Sequence, residues 1–474
     1  MKDPTPYFPL LRLQCAPMGA QTKRGAMATE SLVGLAALFG DFLAGMLVPA
    51  KKGAGSRRRE FSRVEVFWAF LGQVLTRGAS CRWALSRLQA DAVAKGRRSP
   101  EDSTSGYCQA RAALSLGWLQ ALFDALGRWF EPRTNGEWCG RTVRLIDGTG
   151  FSMPDTEKNR QRWPYGPGQQ TGCGFPTGKL VGLFCLHSGR LLAFVEGGWH
   201  RHDLLFARRL LRWLHATEVV VADRAYCGWQ FLALLGDRKV DFVIRLCRRT
   251  VAPSRHRSWQ EIWKRPNRRP EQTRSDWKQQ PQELVVRLVR FHVHRRGFRI
   301  KTVIIATSLL DKKAYPDLAI AELYARRWQV ELHFRQLKTN LSLDVLRCLT
   351  PEMIERELWM HAIAYNLVRA LILEAALTHG LPIDRFSFKG ALDALQAWAD
   401  HALRSRRHRR LARRTLLARL ASDQVSPRPG RSEPRARKRR PKAFPLLSRP
   451  RQQFTHSFRW RKVQGSYLFV SARF

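Results

Sequence analysis

The sequence predicts an α/β protein: a strand-and-helix core split by a β-rich insertion, a helical domain before it and a basic, partly helical region after it. Three observations predict this. Apolar residues recur at threes and fours from Phe61 to Phe130. After Val143 the period changes to alternating and continuous apolar runs, and between Tyr324 and Lys338 polar side chains return at helical spacing. At 474 residues the chain is long enough for two to four domains of roughly 150 residues each. We place the boundaries at 1–55 for an N-terminal leader, expected to be partly disordered, and 56–135 for the helical domain. The core takes 140–250 and 310–375, the insertion 250–309, and the basic C-terminal helical region with its disordered tail 376–474.

The net charge of +45 is a statement about partners, and it favours a polyanion such as nucleic acid far more readily than a membrane surface. Nine cysteines are scattered with no CxxC pair, so they read as reduced thiols in a cytoplasmic protein. Residues 1–26 carry no periodic pattern, and Met18 and Met27 are alternative starts. Leu32–Val48 is apolar, yet Asp41 lies at its centre among Gly34, Gly40 and Gly45. A centred Asp costs about 2.5–3.5 kcal/mol on insertion scales, so this stretch reads as a buried helix and no membrane is expected.

In the helical domain Val64, Val66, Phe67, Phe70, Leu71 and Val74 form one stripe, and Leu114 to Leu126 repeats the pattern. Ser103-Thr104-Ser105 reads as a loop before a helix start. The basic clusters Arg57–Arg59 and Lys95–Arg98 read either as solvated faces or as a surface for a DNA end.

The core opens with Val143-Arg-Leu-Ile-Asp147, a short apolar strand ending in a carboxylate and followed by Gly148-Thr149-Gly150. Lys179–His187 and Leu191–Glu196 form a hairpin turning at Ser188-Gly189. His202–Leu214 is an amphipathic helix. Glu218 to Asp223 is a continuous apolar run of the kind buried in a parallel sheet, again ending in a carboxylate. A short helix at Trp229–Leu235 and a strand at Phe242–Leu246 complete the order strand, strand, strand, helix, strand, helix, strand. That is the order of the ribonuclease H-like fold, whose first and fourth strands are neighbours, so Asp147 and Asp223 would meet. Singly, Asp147 is explained by turn chemistry and Asp223 by helix capping.

In YARRWQVELHFRQLK, Tyr324, Glu331 and Lys338 are seven apart, which two helical turns nearly close, and Arg327 lies beside them. A surface helix with Trp328 and Phe334 in the core is the plain account. A carboxylate among Tyr, Arg and Lys also suits a surface that binds phosphates while holding a metal. With Asp147 and Asp223, Glu331 supplies the oxygen donors that a two-metal phosphoryl-transfer site requires, with hard ions such as Mg²⁺ about 3.5–4 Å apart.

The set Tyr324-x2-Arg327-x3-Glu331-x6-Lys338 resembles residue for residue the Y-R-E-K signature of DDE transposases of the insertion sequence four family. LIDGTGFSMPDTEKNRQRWP from Leu145 and VVVADRAYC from Val219 look like that family's two Asp regions, with Ala225 where Gly often follows. The resemblance runs from about Phe61 to Leu447. It implies Asp147, Asp223 and Glu331 as the catalytic triad, binding two Mg²⁺ ions (Mn²⁺ as the alternative), and Tyr324, Arg327 and Lys338 as the nucleic-acid-binding residues at the transposon end. It further implies double-stranded DNA partners, the terminal inverted repeats and target DNA, and a homodimer on paired ends.

Asp223 and Glu331 are too far apart in the chain for a bare core, so an insertion is expected. Glu283–His294 and Phe298–Leu309 read as long strands in a hairpin, preceded by a basic stretch with Trp259, Trp263 and Trp277. The resemblance implies that such a Trp can stack on a flipped base, and which of the three would do so stays open beside a structural role for each. Pro351–Leu373 continues as helix with Trp359, His361 and Tyr365 in the core. From Arg404 to Lys462 basic residues crowd against only Asp423 and Glu433, a stretch expected to lie along phosphates without reading bases. The expected function is a cut-and-paste transposase that nicks an element end, forms and reopens a hairpin, and joins the end to target DNA. A structure-specific nuclease of the same fold and an inactive DNA-binding element remnant are the other classes weighed.

Overall fold

Serine caps open the helical region in the computed structural model, which describes residues 32–43, 60–134, 137–166, 170, 172–246, 256–268, 274–293, 301–399, 406–426, 450, 459–463 and 466–470. The predicted leader 1–55, apart from residues 32–43, and most of the basic tail lie outside these residues. Helix α1 (Leu32–Phe39) runs into a 3-10 turn, Gly40–Leu43. Helices α2 (Arg63–Leu75), α3 (Cys81–Ala94), α4 (Thr104–Ala112) and α5 (Leu116–Phe130) follow. Ser62, Ser80, Ser103 and Ser115 each accept a hydrogen bond from a backbone N–H of the first turn, and Glu65 closes a capping box with Ser62. Each cap satisfies a donor that the helix itself leaves free. The stripe read from sequence is buried at Val66, Phe67, Phe70, Leu71 and Val74.

The core elements are β1 (Glu137–Trp138), β2 (Arg141–Ser152), α6 (Glu157–Arg162), β3 (Thr177–Cys185), β4 (Leu191–Gly198), α7 (Asp203–Leu210), β5 (Val219–Ala222), α8 (Trp229–Asp237) and β6 (Asp241–Arg245). Next come β7 (Ser258–Lys264), α9 (Arg274–Gln279), β8 (Glu283–Val293) and β9 (Lys301–Thr307). The sheet runs β4-β3-β2-β5-β6-β9-β8-β7, with β1 paired to β2. Strands β2, β5 and β6 are parallel neighbours, while β2-β3-β4 form an antiparallel meander. This is the ribonuclease H-like arrangement expected from the element order. Leu145, Val219 and Val221 face one core, Ile146, Val220 and Ala222 the other. Burial on both faces is why these strands read as continuous apolar runs.

One expectation changes. Strand β2 does not stop at Asp147; it continues to Ser152, paired with β3. The insertion is β-rich as expected, and β9 pairs with β6, carrying β8 and β7 onto the same sheet. An unpaired β6 edge would expose backbone donors and acceptors, and β9 satisfies them.

Helices α10 (Asp317–Ala325) and α11 (Gln329–Arg335) lead to the long α12 (Pro351–His379), then α13 (Phe388–Ala399) and α14 (Arg406–Ser422); strands β10 (Arg459–Val463) and β11 (Ser466–Val470) form a terminal hairpin. Helix α12 is long and apolar enough to cross a membrane by composition, and that surface is buried in the core here. It also grips the β3–β4 hairpin. Tyr365 Oη donates to Gly189 O at 2.7 Å, Asn366 Nδ2 donates to Leu191 O at 2.8 Å, and Arg369 Nε donates to Ser188 O at 2.9 Å. Gly189 has φ of +68°, and a Cβ there would stand 2.5 Å from the Arg369 guanidinium, so glycine is required at this turn. Helix α14 corrects the picture of a free basic arm at its start, since Leu416, Leu417 and Leu420 are buried and Arg413 Nη2 pairs with Glu374 at 2.7 Å.

Arg287 of β8 is fully buried. Its guanidinium pairs with Asp317 at the start of α10 and donates to the carbonyl of Tyr315 at 2.8 Å. The inserted strands thereby fix the helix that leads to Tyr324. Asp317→Ala should cost about 2–3 kcal/mol; the 3–5 kcal/mol of a fully buried pair is reduced because Asp317 keeps 24% side-chain exposure. Urea unfolding of the two proteins measures this, and an unchanged midpoint would refute the role assigned to the pair.

Candidate active site

Parallel pairing of β2 and β5 ends at Ile146 opposite Ala222, so the next residues of the two strands, Asp147 and Asp223, stand side by side. Each carboxylate also does the ordinary job its sequence suggested. Asp147 Oδ1 accepts from Gly148 N at 2.8 Å, and Asp223 Oδ1 accepts from Ala225 N at 2.8 Å, capping the 3-10 turn Arg224–Tyr226. Burial pushes the Asp147 carboxyl up to about 6, against the pull of the Gly148 N–H, with the charges of Asp223 and Glu331 adding to the rise and Arg327 opposing it. Three acids therefore act on one another at this end of the sheet.

The Tyr324–Lys338 stripe is not one α-helix. Tyr324 closes α10, Arg327 lies in a 3-10 turn (Arg326–Trp328), Glu331 is in α11, and Lys338 is in a π-helical turn (Gln336–Asn340). Arg327 and Glu331, four residues apart, meet Nη2 to Oε1 at 2.5 Å, and Arg327 Nη1 lies 3.7 Å from Asp147 Oδ2. Tyr324 is beside them: burial raises its hydroxyl pKa, and the charges of Arg327 and Arg245 oppose the rise. Lys338 forms no hydrogen bond or ion pair with these groups among the described residues. The wider π turn has taken it out of the α-helical register on which the seven-residue spacing rests.

The donor set suits a hard divalent cation, being carboxylate oxygens whose mutual repulsion a cation would relieve. Their arrangement is a different matter. Among the described residues no three acidic, His or Cys side chains are gathered closely enough to hold one ion, and Arg327 stands between Asp147 and Glu331.

Several neighbours were not read from the sequence. Tyr226, three residues after Asp223, is fully buried with a hydroxyl that has no hydrogen-bond partner among the described residues; burial first, then the charges of Asp147, Asp203 and Asp223, push its pKa well up. Asp203 opens α7 and pairs with Lys179 at 2.6 Å. Gly148 and Gly150 are strand glycines rather than a turn. A Cβ on Gly148 would lie 3.1 Å from Asp203 Oδ2, and one on Gly150 would lie 2.5 Å from the Trp199 ring, so they mark a close approach. The sequence signal was available: two glycines inside an otherwise pleated run. Trp328 is 52% exposed, not core, whereas Phe334 is buried. It lines a cavity of about 550 Å³ with Leu332, His333, Gln336 and Phe388. The three insertion tryptophans all have structural partners. Trp259 and Trp263 donate to the two oxygens of Glu261 at 2.8 and 2.9 Å, and Trp277 donates to Pro266 O at 3.0 Å beneath the Arg265 guanidinium.

A ribonuclease H-like sheet with two acids just past its paired parallel segment and a third on α11 is the arrangement of a metal-dependent nucleotidyl transferase. Residues 138–367 match the family described as Transposase DDE domain. The chain is 27% identical over 338 residues to Transposase InsG for insertion sequence element IS4 of Escherichia coli (strain K12), covering 68% of this chain and 72% of that one. It is 38% identical over 72 residues, 15% of this chain and 18% of the other, to Putative transposase InsL for insertion sequence element IS186A of the same strain. A piggyBac transposase synaptic complex with hairpin DNA, solved by cryo-electron microscopy, aligns over 86% of this chain and 88% of its own at 12% identity with a TM-score of 0.41. Over these stretches the chain is similar to DDE transposases, an insertion sequence four transposase among them.

Asp147 makes a pH prediction for the metal-free chain. Its carboxyl is raised from an ordinary value of 3.8 to about 6, so ionising it is harder in the fold than in the unfolded chain. The resulting destabilisation is absent below about 4 and complete above about 6. Asp147→Asn should therefore stabilise the protein by about 2–3 kcal/mol at pH 8 and hardly at all at pH 4, in urea unfolding with a chelator present. An equal change at both values would show that the charge of Asp147 is not what the fold works against.

Proposed function

We propose that this chain is a DDE transposase that moves its element by a cut-and-paste route, with Asp147, Asp223 and Glu331 as the ligands of two Mg²⁺ ions or, as the alternative, Mn²⁺. The observation that carries this reading is the side-by-side placement of Asp147 and Asp223 by strand pairing, with Glu331 acting on the same carboxyl. When bound, divalent ions supply Lewis-acid stabilisation of the attacking and leaving oxygens of a phosphodiester. The chain's own part is to hold the DNA end. Arg327 and Tyr324, with Arg245 beside them and Lys338 further along, bind backbone phosphates near the scissile bond. Arginine suits this role because its planar fork matches a phosphate in two hydrogen bonds.

In this reading one strand at the terminal inverted repeat is nicked and the freed 3′-hydroxyl attacks the opposite strand to close a hairpin. The hairpin is reopened and the end joined to target DNA in the same site. Paired ends would be held by a homodimer. The excess of positive charge suits double-stranded DNA, both ends and target, as the partner, and the cytoplasm as the place of action.

Asp147→Asn, Asp223→Asn and Glu331→Gln should each lower nicking of a duplex carrying the inverted repeats beside this reading frame by on the order of a thousandfold, equivalent to about 4 kcal/mol of transition-state stabilisation. Gel shifts on the same duplex should show end binding retained. Wild-type cleavage by any of the three would remove that residue from the site.

A further inference from the structure

Arg327 stands between Asp147 and Glu331, two of the three acids proposed to hold a cation. Glu331 has its carboxylate 2.5 Å from Arg327 Nη2, while Nη1 of the same guanidinium is 3.7 Å from Asp147 Oδ2. One positive group thus bridges two of the three acids. Arg327 is largely enclosed, with 19% of its side chain exposed, whereas Glu331 is 60% exposed. The carboxylate that must move faces solvent, and the guanidinium that holds it also faces Asp147. While this pairing lasts, no three acids among the described residues gather about one point.

We propose that Arg327 is a positioning residue for Glu331 and the internal counter-ion of the free site: it holds Glu331 out of the cation site until a phosphate of the DNA backbone takes over its guanidinium. This rests on the reading of Asp147, Asp223 and Glu331 as cation ligands. The chemistry of the exchange is simple. Carboxylate and phosphate oxygens compete for the same planar donors, and a backbone phosphate placed at Arg327 offers two of them. Glu331 then turns toward Asp147 and Asp223, where a divalent cation replaces the positive charge that has been withdrawn. Coupling of this kind is reciprocal: DNA raises the affinity for metal and metal raises the affinity for DNA. A free transposase would thus carry an incompletely assembled site and acquire its ions at the DNA end.

The test uses the full-length chain and Mn²⁺ as the probe, with bound and free metal separated by electron paramagnetic resonance. Wild type, Arg327→Gln, Arg327→Lys and Asp147→Asn are compared with and without a short duplex at low salt, the metal bound by the duplex alone being subtracted. Without DNA, Arg327→Gln should bind Mn²⁺ about tenfold more tightly than wild type, with Arg327→Lys between them. Duplex should raise the affinity of wild type by a similar factor and that of Arg327→Gln very little. Circular dichroism melts establish that each variant is folded, and Arg327→Lys carries the comparison if Arg327→Gln is not. If Asp147→Asn abolishes Mn²⁺ binding while both Arg327 variants bind no more tightly than wild type, the counter-ion role is overturned and the cation site stands. If Asp147→Asn leaves Mn²⁺ binding unchanged, the reading of the three acids falls and this inference with it.

Discussion

Four residue pairs between β2 and β5 set the geometry on which everything else depends. Parallel pairing fixes register as well as adjacency, and a slip by one residue would turn the side chain after Ile146 to the other face of the sheet. Here Asp147 and Asp223 follow the last pair, so two like charges are brought together by backbone hydrogen bonds rather than by any attraction between them. Burial first, and the charge of Asp223 after it, raise the carboxyl of Asp147. That cost is offset by packing around the acids: both faces of β5 are completely buried, and α12 clamps the neighbouring hairpin through Tyr365, Asn366 and Arg369.

The inserted strands belong to the same logic. By pairing β9 with β6 the chain extends one sheet instead of building a second domain, and the buried Arg287–Asp317 pair then ties β8 to the first turn of α10. The helix that precedes the third acid is therefore held at its start by the insertion, while α11, which carries Glu331, follows through a short turn.

Much of this was legible in the sequence, for physical reasons. Apolar period separates the helical region from the core, and the two-faced burial of Val219–Ala222 shows as an unbroken apolar run. Strand order then brings Asp147 to Asp223. What was not legible depends on backbone detail that periodicity averages over. A 3-10 turn and a π turn keep the residue spacing of the Tyr324–Lys338 stripe while changing its angular register, so Arg327 meets Glu331 but Lys338 meets neither. Gly148-Thr149-Gly150 carries the letters of a turn and is a strand, because Asp203 and Trp199 occupy the space that side chains would fill. Strand alternation also gives no sign of which edge β9 will cover, since that choice is made by the unpaired edge of β6.

The distribution of charge needs a finer division than the total of +45 suggests. Arg413 of α14 pairs with Glu374 at 2.7 Å and lies 3.5 Å from Asp41, and Arg287 and Arg369 are buried with partners inside the fold. These cations are structural, and none of them is free to release counterions from DNA. Arg327 differs from them: it is paired within the fold, but with an exposed carboxylate, the one we propose a phosphate replaces. Its position shows how one residue type serves two ends in this protein. Where the acid partner is enclosed the arginine holds the fold together, and where the partner faces solvent the same ion pair becomes exchangeable and therefore responsive to DNA.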